Sequence, residues 1–152
     1  MNCTLKYAAG RASRRARRDL YAARSRDRDR DASVCAQPGA IHSVVFGGFS
    51  ATSRKDRIAD GGAKLLITAD GGWRGGRTIE LKAAADQPLA SRCRTIERVI
   101  VDRRTAEPVP MDAKRDVWWH EVVEGQSPIC APEPVAAEHP LFLLYKSGSR
   151  AQ

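Results

Sequence analysis

The chain has 152 residues, 42% of them apolar, and its 26 Lys and Arg outnumber its 18 Asp and Glu for a formal net charge of +8. This length fits one ordinary domain whose core needs neither disulfide nor metal, and it excludes a large multidomain enzyme acting by itself. The apolar fraction excludes wholesale disorder, and no window approaches the roughly 18 consecutive apolar residues of a membrane span.

Charge is concentrated at the start of the chain. Residues 1–35 carry ten basic and four acidic residues, a net +6, so the remainder is close to balanced. Arginines interrupt the stretch where a secretory signal needs a hydrophobic run, and Asp19, Asp27, Asp29 and Asp31 break the acid-poor composition of a transit peptide. Three readings of this basic segment stand side by side. It is a solvated, irregular stretch or helix with no partner; or Arg11 to Arg30 binds a polyanion such as nucleic acid through clustered guanidiniums; or it is frame-altered, since codons CGC GAT for Arg-Asp read one base later as Ala-Ile. Cys3, Cys35, Cys93 and Cys130 form neither a CxxC pair nor a compact ligand cluster, which suits a reduced, cytoplasmic setting without membrane association.

From residue 36 onward the texture changes to short apolar runs. Val44, Val45 and Phe46 predict a first strand. Ser50 then caps a helix through Arg57, Ile58 and Ala59, with Gly61 and Gly62 available to end it. Leu65, Leu66 and Ile67 predict a second strand, Val99, Ile100 and Val101 a third, and Leu141 to Tyr145 a fourth. Between Thr105 and Pro140 the prolines at 108, 110, 128, 132, 134 and 140 predict mostly loop, with one short element around Val117 to Val123. Strands alternating with one or two helices give an α/β class.

Two segments have residue types suited to phosphate. In Gly71-Gly72-Trp73-Arg74-Gly75-Gly76-Arg77, pliable backbone and two guanidiniums follow a strand, reading either as an anion site or as an exposed turn with solvated arginines. The pattern fits neither GxGxxG nor GxxxxGK[ST]. Ser147, Gly148 and Ser149 follow the last apolar run, where hydroxyls and amides can face phosphate oxygens or simply fray. His42, His120 and His139 lack metal-ligand spacing, and His120 and Glu121 are neighbours that do not face each other on a helix. No catalytic and no metal-binding residue is assigned. Trp118 and Trp119 read as packing anchors rather than stacking platforms.

Taken in order, HSVVFGGFS (42–50), DRIADGGAKLLITADGGWRGGR (56–77), VIVDRRT (99–105), RDVWWHE (115–121) and HPLFLLYKSGS (139–149) resemble acetyl-coenzyme A synthetase, the AMP-forming acetate:CoA ligase of the adenylate-forming superfamily. The resemblance runs from about Cys35 to Ser149. It implies an incomplete piece of the large N-terminal α/β domain over residues 36–152, preceded by the basic segment 1–35. It implies a family chemistry that makes acetyl-AMP from acetate and ATP and then acetyl-CoA, using CoA, ATP and Mg2+. By the same resemblance, Arg74, Gly75, Gly76 and Arg77 contact the nucleotide end of CoA, and Tyr145, Ser147, Gly148 and Ser149 match the beginning of the family's phosphate loop, YTSGSTGxPKG. Lys146, Arg150 and Ala151 depart from that loop by removing hydroxyls and a glycine and adding cations, so the expectation is a fragment inactive alone. The alternatives are a residual CoA- or polyanion-binding module and a truncated product without activity. No specific protein partner is implied.

Overall fold

The computed structural model describes residues 18–22, 40–45, 50–90, 95–126, 134–140 and 142–145. Its centre is a five-stranded, all-parallel sheet in the order β2-β1-β3-β6-β7. The strands are β1 (Arg18–Ala22), β2 (Ile41–Val44), β3 (Leu65–Ala69), β6 (Arg98–Asp102) and β7 (Asp116–Trp118), and a separate antiparallel hairpin joins β4 (Gly72–Arg74) to β5 (Arg77–Ile79). Helices α1 (Ala51–Gly61), α2 (Leu81–Ala90) and α3 (Trp119–Val123) complete the described elements.

Period-two alternation distributes the side chains over two layers. Leu66 of β3 and Val99 and Val101 of β6 join Val45, Ile58 of α1 and Ala85 of α2 in the larger core, with Leu89, Met111 and Trp118 packed against it. Leu65 and Ile100 point the other way and meet Ile67, Val117, Trp119 and Val122. The register Leu66↔Val99 and Ile67↔Ile100 places like faces side by side. A parallel sheet covered on both faces explains why these strands read as continuous apolar runs. The adjacent tryptophans thus anchor opposite faces, since Trp118 ends β7 and Trp119 opens α3.

Local chemistry sets the helix ends. Ser50 adopts extended backbone and its Oγ accepts from the Ser53 N–H at 3.2 Å, while Gly62 takes φ 60°, the left-handed conformation that closes α1. Helix α2 contains Pro88, which removes one helical N–H, and the buried proline ring is retained in the core layer instead.

Two sequence expectations require correction. Arg18–Ala22 lies inside the basic segment read as irregular, yet forms β1 and pairs in parallel with both β2 and β3; its backbone fills the ladder between those two strands. The run Leu141 to Tyr145 forms no strand among its described residues. Phe142 makes a single parallel bridge to His42, Leu143 N–H donates to the His42 carbonyl at 2.8 Å, and residues 143–145 continue without regular pairing. Ser43 Oγ donates to the Leu143 carbonyl at 3.1 Å, so this apolar segment rests on the outer edge of β2 rather than extending the sheet. No helix among the described residues is long and apolar enough to cross a membrane.

Candidate phosphate-binding hairpin and its support

The hairpin leaves the sheet directly after β3, at the carboxyl ends of the parallel strands, where ligands of open α/β sheets bind. Gly75 and Gly76 form its two-residue turn with φ 55° and 74°, the paired positive values of a type I′ turn. A Cβ meets no atom at either position, but the positive φ strains most side chains and glycine none, which is the physical reason for the GG in this motif. The register pairs Arg74 with Arg77 across the turn, and both are exposed. Directly opposed residues of an antiparallel pair sit about 5 Å apart at Cβ, and like charges there repel. An anion bridging the two guanidiniums turns that repulsion into attraction, with planar donor forks suited to phosphate oxygens. The four residues Arg74, Gly75, Gly76 and Arg77 are therefore brought together as one unit. Trp73 stands beside them with 57% of its surface exposed, opposite Thr78.

The base of the hairpin is held by Asp70, a residue with no functional assignment in the sequence reading. Its side chain is buried, yet it is ringed by amides: Oδ1 accepts from the N–H groups of Gly71 at 2.6 Å, Arg104 at 2.9 Å and Thr105 at 3.0 Å, and Oδ2 from Thr105 at 3.2 Å. Burial pushes its carboxyl upward, but the amides of Thr105, Arg104 and Gly71 outweigh that push and hold it below the ordinary carboxylate range. Gly71 is packed so closely that a Cβ there meets Thr105 Oγ1 at 2.7 Å. Just beyond Thr105, Ala106 adopts φ 59°, a strained conformation for a residue with a side chain.

A cleft of about 380 Å³ opens beside this base, lined by Asp70, Gly71, Thr78, Ile79, Glu80 and Ala83 on one side and residues 107–110 on the other. Glu80 and Glu107 give it an acidic lining, which disfavours phosphate inside the cleft, and Arg74 and Arg77 are not among its lining residues.

A second charged cluster lies below the site. Lys82, with no exposed side-chain surface, contacts Asp86 Oδ2 at 2.6 Å and Asp116 Oδ2 at 2.8 Å. Arg115 closes the ring through Nε to Asp116 Oδ1 at 2.7 Å and Nη2 to Asp86 Oδ1 at 2.9 Å. Burial raises the Asp116 carboxyl, while bonds from Arg115 and Lys82 outweigh burial and hold it below its ordinary value. Two cations against two anions neutralise one another, so this network ties α2 to the start of β7 and offers no net charge to a ligand. The spacing from Lys82 to Asp86 is a helical i,i+4 pair visible in sequence, but its closure by residues some thirty positions later is not.

Ser147, Gly148 and Ser149 lie outside the described residues, as do the four cysteines and Arg11–Arg17 and Arg24–Arg30 of the basic segment. Just before them, Tyr145 is anchored: its hydroxyl donates to Asp60 Oδ2 and Arg57 lies 4.9 Å from its ring centroid. The three histidines fall in β2, in α3 and in the 134–140 segment, and no group of three or more metal-ligating side chains occurs among the described residues.

No family model matches the chain. The parallel α/β sheet is found again in acetoacetyl-CoA synthetase from Streptomyces lividans, with a TM-score of 0.70 at 21% identity, covering 86% of this chain and 20% of that one. The fold is thus the mixed α/β fold of one part of that synthetase. Sequence is more specific. The chain is 55% identical over 117 residues to the acetyl-coenzyme A synthetases of Methylobacillus flagellatus and Herminiimonas arsenicoxydans, and 53% identical over 116 residues to that of Pasteurella multocida. Over this stretch, 76% of its length, it matches the acetyl-coenzyme A synthetase family, and it spans 18% of the length of each of those relatives.

Proposed function

We propose that this chain carries the CoA-contacting portion of an acetate:CoA ligase, and that Arg74 and Arg77 grip the phosphates at the nucleotide end of CoA. The supporting observation is the hairpin itself: two exposed arginines face one another across a Gly-Gly type I′ turn at the carboxyl edge of the sheet. The ligand's phosphates place negative charge beside two guanidiniums of like sign, and the positive φ of Gly75 and Gly76 lets backbone amides approach the same group. The relatives' acetyl-coenzyme A synthetase identity gives CoA as the phosphate-bearing ligand of choice.

Within this reading the 152-residue chain binds but does not turn over. ATP and Mg2+ belong to the family chemistry, and Lys146 and Arg150 replace the hydroxyl-bearing residues of the family's phosphate loop beside Ser147, Gly148 and Ser149. Charge building up during adenylate formation needs preorganised donors, and this loop has lost two of them.

Calorimetric titration of the full chain with CoA and with dephospho-CoA, at two salt concentrations, tests the proposal. The expected result is saturable binding of CoA that weakens with salt and falls about tenfold in Arg74→Ala/Arg77→Ala. Equal affinity of the substituted and unsubstituted chains would remove the hairpin from the site. ATP- and acetate-dependent formation of acetyl-CoA by the chain alone would overturn the second part.

A further inference from the structure

We infer that Asp70 is the positioning residue of the hairpin, setting where Arg74 and Arg77 stand relative to the sheet. This rests on the reading that the hairpin receives CoA and adds the residue that aims it. Asp70 never reaches the hairpin tip, so its action is through backbone alone.

Both ends of the excursion converge on it. Its own N–H donates to the Asp102 carbonyl at 2.9 Å, continuing the β3–β6 ladder one residue past β3. Its carbonyl accepts from the Lys82 N–H at 3.2 Å, which closes the segment 70–82 on itself where α2 begins. Its carboxylate gathers the N–H groups of Gly71, on the outgoing side, and of Arg104 and Thr105, beyond the end of β6. One residue thus pins the hairpin's exit, its return and the neighbouring strand's outgoing loop. A three-residue β4 and a three-residue β5 are too short to hold a direction by their own ladder, so direction comes from this base.

The junction is also sterically set. Gly71 leaves no room for a Cβ against Thr105 Oγ1 at 2.7 Å, Thr105 Cγ2 at 3.2 Å and the Ile79 carbonyl at 3.3 Å. Asp70 and Gly71 therefore act together: the carboxylate draws the 104–105 amides inward, and the glycine lets them come close. Buried charge held chiefly by backbone amides is sensitive to loss of its negative charge, because an amide side chain places a donor where an acceptor stood.

The test uses the full chain labelled with 5-fluorotryptophan, its three resonances assigned by Trp→Phe substitution, together with CoA titration. Asp70→Asn is expected to shift or broaden the Trp73 resonance, leave those of Trp118 and Trp119 in place, and weaken CoA about tenfold. Gly71→Ala is expected to do the same from the steric side. Adding Thr105→Ala to Gly71→Ala removes the two closest clashing atoms and is expected to restore the Trp73 resonance and most of the affinity.

Unchanged Trp73 resonance and CoA affinity within twofold in both single variants overturn the inference. Collapse of all three tryptophan resonances in both single variants, with no recovery on adding Thr105→Ala, overturns it too, since Asp70 then supports the whole sheet rather than the hairpin. If the unsubstituted chain fails to bind CoA, the CoA reading falls, and the Trp73 resonance alone decides whether Asp70 aims the hairpin.

Discussion

At the hairpin tip, Arg74 and Arg77 stand on exposed backbone to either side of two left-handed glycines, whereas Lys82 and Asp116 have no exposed side-chain surface at all. Both regions concentrate charge, the tip beyond the carboxyl ends of the strands and the ring at the start of β7, and they differ in sign balance and exposure. Around Lys82 every charge is met by an opposite one within hydrogen-bonding distance, in a ring closed by Arg115 and Asp86. At the tip two like charges oppose one another across the strand pair. The comparison teaches that a charged cluster's role follows from its internal balance and its access to water: a neutral, buried ring joins α2 to β7, and the same-sign exposed pair is the one we propose serves an anion.

The largest effect is expected where balance is broken inside. Lys82→Met leaves two carboxylates sharing one guanidinium and is expected to lower the unfolding free energy by about 3 kcal/mol, read as a shifted urea midpoint. Adding Asp116→Asn restores the balance of charge and is expected to recover part of the loss. If the double variant is no more stable than the single, the ring is not a coupled unit.

Opening the tip's turn comes next. Gly75→Val and Gly76→Ala, each at positive φ, are expected to cost about 1–2 kcal/mol and to weaken CoA binding, with little change in the far core. Unaltered binding in either would show that turn geometry does not matter to the ligand.

Acid sharpens the contrast because both Asp70 and Asp116 titrate below their ordinary value of 3.8. A depressed native pKa means the unfolded chain takes up protons first, so the stabilisation is fully present above the unfolded value and is lost as pH falls below 3.8 through the native values. Asp116→Asn is expected to flatten that acid limb in urea melts collected across the range; an unchanged slope would contradict the network's assigned charges.

The smallest effect is expected at Tyr145, pushed up to about 12 by burial and by Asp60. Its neutral hydroxyl is the bonded form, so this contribution is intact below pH 10 and lost as pH rises towards about 12. Ultraviolet titration is expected to show a late-ionising tyrosine that moves part of the way down in Asp60→Asn, burial keeping the rest of the rise, with a stability change below about 1 kcal/mol.

Features carried by neighbouring residues were legible in sequence. Ser50 and Gly62 bound α1 through their own cap geometry, the runs at 65–67 and 99–101 fall in β3 and β6, and Gly75-Gly76 gives the turn its conformation directly. What escaped depends on distant partners. Nothing local to Asp70 reveals that Arg104 and Thr105 will deliver their amides to it, and nothing local to Lys82 reveals Asp116. The apolar run at 141–145 has strand composition, yet only Phe142 bridges β2. In the opposite direction, the charged composition around Arg18–Ala22 masked its position between β2 and β3, because parallel pairing uses backbone groups that composition does not report.

Amide hydrogen exchange on the full chain, with and without saturating CoA, bears most directly on the central claim that the hairpin is the anion-facing surface and the Lys82 ring is scaffold. The account predicts slow exchange at Val99 to Val101 in both samples and added protection on CoA binding confined to residues 71–79 and to the Arg104 and Thr105 amides. Protection unchanged across 71–79 while CoA is bound, or gained instead around Lys82 and Asp116, would contradict it.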